Sequence, residues 1–438
     1  MQVADTTQGE SHRKGPRSAA ELERLARDLG ADDAGWIPID HPDLGPERKE
    51  ILTRFPWCRS LLAIVKRMNR EPIRSPMRSI ANVEFHGTGH AVDHIGHEIV
   101  AALEAEGLRA LNATMGFPME MEEFPGRIWA VSHKPVAQAA GLGRMGIHRN
   151  LIHPGFGSFI LLGTVLLDLE FSPEQARGPI DFDPCLECKL CVAACPTGAL
   201  SPEGQLDFSA CVTHNYREFL GGFSNWTESV VESKDAKDYR KRVADAETAS
   251  WWQSLSFGPN YKAAYCLAVC PAGEDVIAPW REDKAAFKKS VLKPLVDKAE
   301  RIYVLPGSDA EAWVHKRFPH KTTGRVGNGI RPRNLAGFIR GLGLTFQRGA
   351  AKTLDATYAF RFTGSEQGRY VIRIEKGRLD VREGTTETAD LRIRADLETW
   401  LGFLAKERSL VWAILRRRIR IKGDPRLLLA FGRCFPLA

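Results

Sequence analysis

Seven of the nine cysteines in this 438-residue sequence lie between positions 185 and 270. Four form the run Cys185-Leu-Glu-Cys188-Lys-Leu-Cys191-Val-Ala-Ala-Cys195, closed by Pro196; Cys211 follows, then Cys266 and the pair Cys270-Pro271. Three thiolates two residues apart can wrap a loop around one inorganic centre, and a fourth followed by proline points at a second. This C-x2-C-x2-C-x3-C-P spacing is that of iron–sulfur ligation. Cys185, Cys188, Cys191 and Cys270 make a complete set for a [4Fe–4S] cluster. Cys195, Cys211 and Cys266 supply three ligands for a second cluster, and the position where a fourth cysteine would stand holds Ala263. Either that centre is a [3Fe–4S] cluster, or a non-cysteine group such as His214 completes a [4Fe–4S] one. Zinc also takes four cysteines, but the third C-x2 step and the trailing Pro196-Thr197-Gly198-Ala199 favour a cluster.

Other residues with chemistry gather upstream. His86, His90, His94 and His97 fall on one stripe of a helix expected from about His90 to Gly107, opposite Ile95, Ile99 and Leu103. They either line a cavity or solvent face, or hold a metal. His133, Lys134, His148 and His153 surround the glycine-rich stretch Gly141 to Gly157, where they either supply protons or cap loops. Gly141-Leu-Gly143-Arg-Met145-Gly146 matches G-x-G-x-x-G, yet it follows no clean strand, so a dinucleotide site is rejected. Trp226, Trp251, Trp252 and Trp280 read as core or cofactor shielding, and Cys58 and Cys434 as buried thiols.

The elements around these residues divide the chain. Strand candidates at Ala34–Ile39, Leu61–Val65, Ile128–Val131 and Ser158–Leu167, with a capped helix from Ser18, make an α+β domain over 18–175. The cysteine region spans 176–285, with an insertion at 215–262 whose charged stretch 227–250 reads as helix. Residues 286–334 read as a connector. From 335 to 438 alternating strands (Tyr358–Phe362, Tyr370–Ile374, Arg378–Val381, Leu391–Ile393) precede a helix with Leu397, Trp400, Leu401 and Leu404 on one face.

Two stretches carry family resemblances. His133-Lys-Pro135-Val-Ala-Gln-Ala-Ala-Gly141-Leu-Gly143-Arg-Met145-Gly146-Ile-His148, then Gly157-Ser158-Phe-Ile-Leu-Leu-Gly163, then the cysteine run and Leu206-Asp207…Cys211, resemble epoxyqueuosine reductases and reductive dehalogenases. The resemblance implies a nitroreductase-like domain that binds cobalamin, fused to a two-cluster ferredoxin-like domain. Electrons would pass from a reduced ferredoxin or flavodoxin-type donor through the clusters to cobalt. It places His94, Gly141, Gly143, Met145, Gly146, His148, Gly157 and Ser158 against the cofactor. Epoxyqueuosine reductases have a catalytic Asp where this chain has Ser132, beside His133 and Lys134. That departure implies a different substrate, with protons from His133 or Lys134. The tail, about 335–438, resembles the sterol-carrier-protein type 2 domain through Tyr370-Val-Ile-Arg-Ile-Glu-Lys-Gly377-Arg378, Ala389-Asp-Leu-Arg-Ile393, Trp400 and Ile419-Arg-Ile-Lys-Gly423-Asp424. It implies binding of a hydrophobic small molecule. The whole is thus read as an oxidoreductase, the alternative being an electron-transfer or lipid-binding protein without chemistry of its own.

Composition agrees with a multidomain globular chain, with 43% hydrophobic and 26% charged residues. The polar segment Met1–Arg17 carries no secretory signal, and no run nears the roughly 20 apolar residues of a membrane helix, so a cytoplasmic protein without a transmembrane segment is expected. The net charge of +7 is concentrated in part in Arg416–Lys422, where Ile419 and Ile421 alternate with basic residues as in a half-buried strand. No nucleic acid is expected as a partner.

Overall fold

The computed structural model describes residues 15–16, 18–185 and 187–436. Apart from Gly15 and Pro16, the Met1–Arg17 segment lies outside the described residues, as do Leu437 and Ala438. The class is α+β, as expected.

The first sheet is built from β1 (Asp33–Pro38), β2 (Ser60–Arg67), β3 (Ala110–Ala113) and β6 (Ile160–Leu167), with the short pair β4 (Arg144–Met145) and β5 (Leu151–Ile152) forming a separate hairpin. Its order is β1-β2-β6-β3, antiparallel throughout. The central strands are nearly continuously apolar because both faces are covered. On one face Leu62, Ile64 and Val165 pack with Leu22, Val92, Ile95 and Ile99 from the helices Ala19–Asp28 and Arg78–Ala105. On the other, Leu61, Ala63 and Leu166 meet Val136 and Ala137 of the helix His133–Ala139.

Two expectations are corrected here. The long helix starts at Arg78, not near His90, and runs through Gly87 and Gly89. A Cβ on Gly89 would stand 2.6 Å from the Met115 side chain, so glycine there admits a close neighbour and does not break the helix. Ile128–Val131 is not a strand. The Arg127 guanidinium donates to the carbonyls of Trp129 and Ala130 (3.1 and 3.2 Å), taking acceptors a ladder would need, and is itself held by the buried Glu47.

The middle of the chain is mostly helical. The insertion contains three helices, Gly222–Val231, Ala236–Arg242 and Asp245–Phe257. Residues 286–334 are more than a connector: β7 (Arg301–Val304) and β8 (Thr322–Arg325) pair in parallel across the helix Asp309–Arg317. Ile302, Val304 and Val314 from this unit join the same core as Cys191, Cys195 and Ala263.

The C-terminal sheet runs β11-β10-β9-β12-β13, from β9 (Asp355–Thr363), β10 (Gly368–Glu375), β11 (Arg378–Glu383), β12 (Leu391–Asp396) and β13 (Ile419–Gly423). All pairs are antiparallel except β9 with β12. Phe338, Phe360, Phe362, Trp400 and Phe431 fill its interior, with ring centroids 5.4–6.3 Å apart. Ile419 is buried and Arg420 exposed, the alternation read from the basic run. Among the described residues no helix is long and apolar enough to cross a membrane.

Glu47 accepts from both Arg127 and the Ser132 backbone N–H. Glu47→Ala leaves a poorly solvated guanidinium without its partner, a change that costs about 3–5 kcal/mol when the pair is buried. Denaturant titration followed by tryptophan fluorescence is expected to show the loss, and Glu47→Gln a smaller one.

Candidate metal centre

Cys185, Cys188, Cys191 and Cys270 line one cavity together with Pro184 and Lys189, and Ile147, His148 and Ile152 close it from the β4–β5 hairpin. The loop that delivers the first three is tightly wound. Glu187 (φ 53°) and Lys189 (φ 49°) are left-handed although neither is glycine, a conformation that costs roughly 1–2 kcal/mol per residue and persists only where surroundings demand it. Lys189 then starts the short helix Leu190–Ala194, which carries Cys191. Burial pushes the Cys270 thiol up to about 12, and charge on Cys188 and Cys185 adds to that, while the Ser158 hydroxyl acts in the opposite sense. Cys191 is likewise raised, by burial and then by Cys266, Cys270 and Cys188. Thiols that oppose one another's ionisation become stable thiolates when cationic iron sits among them.

The donors around this cavity fit a cluster. The Ile147 N–H donates to Cys185 Sγ at 3.2 Å. His148 Nδ1 accepts from the Asn150 N–H at 3.2 Å, so the ring proton resides on Nε2. Nε2 is buried and has no protein partner. Burial pushes the ring down to about 4, so it is neutral near pH 7. An N–H left unpaired in a cavity walled by four thiols is placed to donate to a cluster sulfur. Zinc needs its thiolates about 2.3 Å from one point, whereas a cluster spreads them around a cube.

The second group adjoins the first. Cys211 is raised by burial, then by Cys195 and Cys266, and Cys266 goes up to about 12 through burial and then Cys195. The Trp313 indole donates to the Cys195 carbonyl at 3.3 Å, which fastens the β7–β8 unit over this turn. Lys134 faces the same thiols: its ammonium lowers both Cys211 and Cys266 and donates to the Arg149 carbonyl and Asn150 Oδ1, each at 2.8 Å.

Several of the residues assigned to cobalamin pack between the sheet and the cysteine region. Gly157 (φ 67°) has its Cα against the backbone of the cysteine region, where a Cβ would come within 1.9 Å of the Ala272 carbonyl oxygen. Ser158 donates to the Leu267 carbonyl at 3.1 Å. Gly141 and Gly143 approach the backbones of Gly178 and Ile152, Gly146 packs on Ile152, and Met145 sits in β4 with its N–H on Gln138. This segment therefore joins the sheet to the cluster loops. His94 lies on the exposed face of its helix, 3.9 Å from Glu98, with His97 also exposed. His86 bonds the Pro259 carbonyl at 2.8 Å, and the rings of His86 and His90 are 6.4 Å apart. His133 is buried with Nε2 on the Thr114 carbonyl (2.8 Å) and Nδ1 on the Thr164 hydroxyl (2.9 Å), and burial lowers its basicity. Ser132 heads its helix without a side-chain cap bond. Trp251 and Trp280 are buried and Trp252 is exposed; Cys58 and Cys434 are buried thiols raised to about 11.

Sequence reasoning missed Ile147, Gly273 and Trp313. Gly273 (φ 110°) is the counterpart of Gly157, its missing Cβ leaving room for the Gly157 backbone.

Known proteins match this chain in parts. The model of a 4Fe-4S binding domain matches residues 179–201, and that of the SCP-2 sterol transfer family matches 345–436. The epoxyqueuosine reductase of Bacillus anthracis is 40% identical over 186 residues, which is 41% of this chain and 41% of the relative. That of Leadbetterella byssophila is 39% identical over 119 residues, 24% of this chain and 38% of the relative. The chain thus spans about two fifths of the length of the curated relatives it matches. Among solved structures, epoxyqueuosine reductase from Streptococcus thermophilus is 15% identical with a TM-score of 0.37, covering 63% of this chain and 79% of that one. A catabolic reductive dehalogenase in complex with 3-bromo-4-hydroxybenzoic acid is 17% identical with a TM-score of 0.38, covering 63% and 34%. The four-cysteine cavity, the two family models and the sequence similarity together identify a chain that carries a 4Fe-4S binding domain and an SCP-2 sterol transfer domain and is similar, over about two fifths of its length, to epoxyqueuosine reductases.

Proposed function

We propose that this chain is an iron–sulfur oxidoreductase whose electrons enter through the cluster on Cys185, Cys188, Cys191 and Cys270. The observation that carries the reading is the cavity these four line, with the Ile147 N–H on Cys185 and the unpaired His148 Nε2–H beside it. Hydrogen bonds to cluster sulfurs raise the reduction potential by stabilising the more negative, reduced state. The nearby second thiol group makes the next station.

Cobalamin enters the proposal through the sequence similarity, and when bound it would supply low-valent cobalt chemistry to the substrate. The glycines assigned to it are packed against neighbouring chain segments, and no step is routed through it. The substrate we infer is a hydrophobic organic molecule, presented by the C-terminal domain. Ser132 supports a substrate other than epoxyqueuosine, because the reductases that resemble this chain use an Asp there. Epoxyqueuosine in tRNA, the substrate class named for the relatives, is the competing reading, and turnover assays on both distinguish them.

For proton supply Lys134 fits better than His133. Burial lowers the Lys134 ammonium from its ordinary value, which eases proton release; His133 is tied at both nitrogens. That tying also favours a second reading, an electron-transfer and lipid-binding protein without its own catalysis. The cobalt-to-iron ratio of the purified chain separates the two.

An electron donor of the ferredoxin or flavodoxin type is acidic, and a face suited to it exists. Lys284, Lys288, Lys289, Lys293 and Arg317 are exposed on one side. The buried Phe287 beneath them packs on the Arg74 guanidinium (5.5 Å), which in turn lies beside Cys270.

Three outcomes are expected. Cys185→Ser and Cys270→Ser abolish the same four-iron signature in anaerobic electron paramagnetic resonance and leave the second centre. His148→Leu moves the first cluster's midpoint potential to more negative values in a redox titration. Lys288→Glu with Lys289→Glu slows reduction by an acidic flavodoxin at low salt, and the difference fades as ionic strength screens the charges.

A further inference from the structure

The cysteine region repeats one local shape, and the repeat is broken at a single side chain. Cys188-Lys189-Leu190-Cys191…Cys195-Pro196 and Ala263-Ala264-Tyr265-Cys266…Cys270-Pro271 have identical spacing. Their backbones agree where agreement is least expected: Lys189 has φ 49° and ψ 22°, and Ala264 has φ 54° and ψ 24°. Each left-handed residue starts a short helix, Leu190–Ala194 or Tyr265–Ala268, that carries the next cysteine. Alanine gains nothing locally from this conformation, so the second loop is wound to hold a cluster although its first thiol is absent. Ala263, the counterpart of Cys188, is buried in the core that contains Cys195, with Cys211 and Cys266 packed against it. Its N–H is fixed at 3.0 Å to Asn215 Oδ1, directly after the helix that bears Cys211.

No further cysteine stands in for the thiol, since Cys58 and Cys434 lie in other cores. His214 takes the Tyr303 N–H on Nδ1 at 3.3 Å, which turns that nitrogen toward β7, and its buried Nε2 has no protein partner. Lys134 faces Cys211 and Cys266 as a cation. The Tyr216 phenol also faces these two thiols, and its ring is packed edge-on against Phe219 and Tyr261.

We propose that Cys195, Cys211 and Cys266 hold a [3Fe–4S] cluster whose missing corner lies at Ala263, so that the chain pairs one four-iron centre with one three-iron centre. The proposal rests on the iron–sulfur reading above. Its consequence is an electron path between centres of different type, and cluster type is one of the determinants of potential.

The test uses the full chain, purified and reconstituted anaerobically with excess ferrous iron and sulfide. Mössbauer and electron paramagnetic resonance spectra of the wild type are expected to contain an oxidised three-iron signal alongside one four-iron centre. Ala263→Cys is expected to remove the three-iron signal, add one iron per chain and add a second four-iron signal on reduction. Two four-iron centres in the wild type with iron content unchanged by Ala263→Cys would overturn the proposal. So would loss of a second four-iron centre in Tyr216→Phe or His214→Ala, which would assign that side chain as fourth ligand. If Ala263→Cys fails to fold, the wild-type spectra decide alone. Absence of every cluster, including the one removed by Cys185→Ser, would instead overturn the reading on which the proposal rests.

Discussion

The geometry of both centres depends on one backbone-to-backbone contact. Gly157 and Gly273 meet with no side chain between them, and either Cβ would fall within 2.4 Å of the opposing chain. Around this contact the Glu274 and Asp275 N–H groups donate to the Pro154 and Gly155 carbonyls at 2.8 and 3.1 Å. The next residue back along the cysteine loop is Pro271-linked Ala272, and then Cys270. The contact therefore fixes the one cysteine that must cross from the second loop to complete the first site. Ser158, next to Gly157, ties the same loop through the Leu267 carbonyl. A rigid sheet on one side and a wound loop on the other hold four thiols in register, which loop entropy alone would not do.

From that contact the remaining architecture follows in layers. β6, which begins just after Ser158, is the second inner strand of the first sheet, so the cluster loops hang from the most buried part of the N-terminal domain. The β4–β5 hairpin turns the Ile147 N–H and His148 toward the cavity. The β7–β8 unit backs the second thiol group through Trp313. The C-terminal domain has its own aromatic core and its own sheet, and it joins the rest through polar contacts such as Asp309 with the Gly349 and Ala350 N–H groups.

What the sequence discloses depends on the range of the interaction. Cluster ligation is local in spacing, so Cys185 to Cys195 and the gap at Ala263 are readable directly. The strands of the C-terminal domain are equally plain, because period-two alternation is written into each of them. The role of Gly157 is not readable: its partner lies more than a hundred positions away, and a glycine beside a glycine-rich loop suggests a ligand just as well. His148 was singled out by residue type, but only the Asn150 contact settles which nitrogen carries the proton. The stretch 286–334 was read as a connector because a parallel pair joined by a helix has no short-range signature. Ile128–Val131 looked like a strand until Arg127 was seen to occupy its carbonyls.

Trp313 carries a consequence beyond fastening a turn. Its indole lies against Gly198, where a Cβ would stand 2.7 Å from the ring, and its N–H closes the carbonyl of Cys195. Solvent exposure is one of the determinants of a cluster's potential, so what blocks the way to its edges has an electronic consequence. An aromatic plate seated on the Cys-Pro turn closes one approach to the second thiol group without adding a ligand. The unit that looked like spacer is, in this sense, part of what shields the second thiol group from solvent.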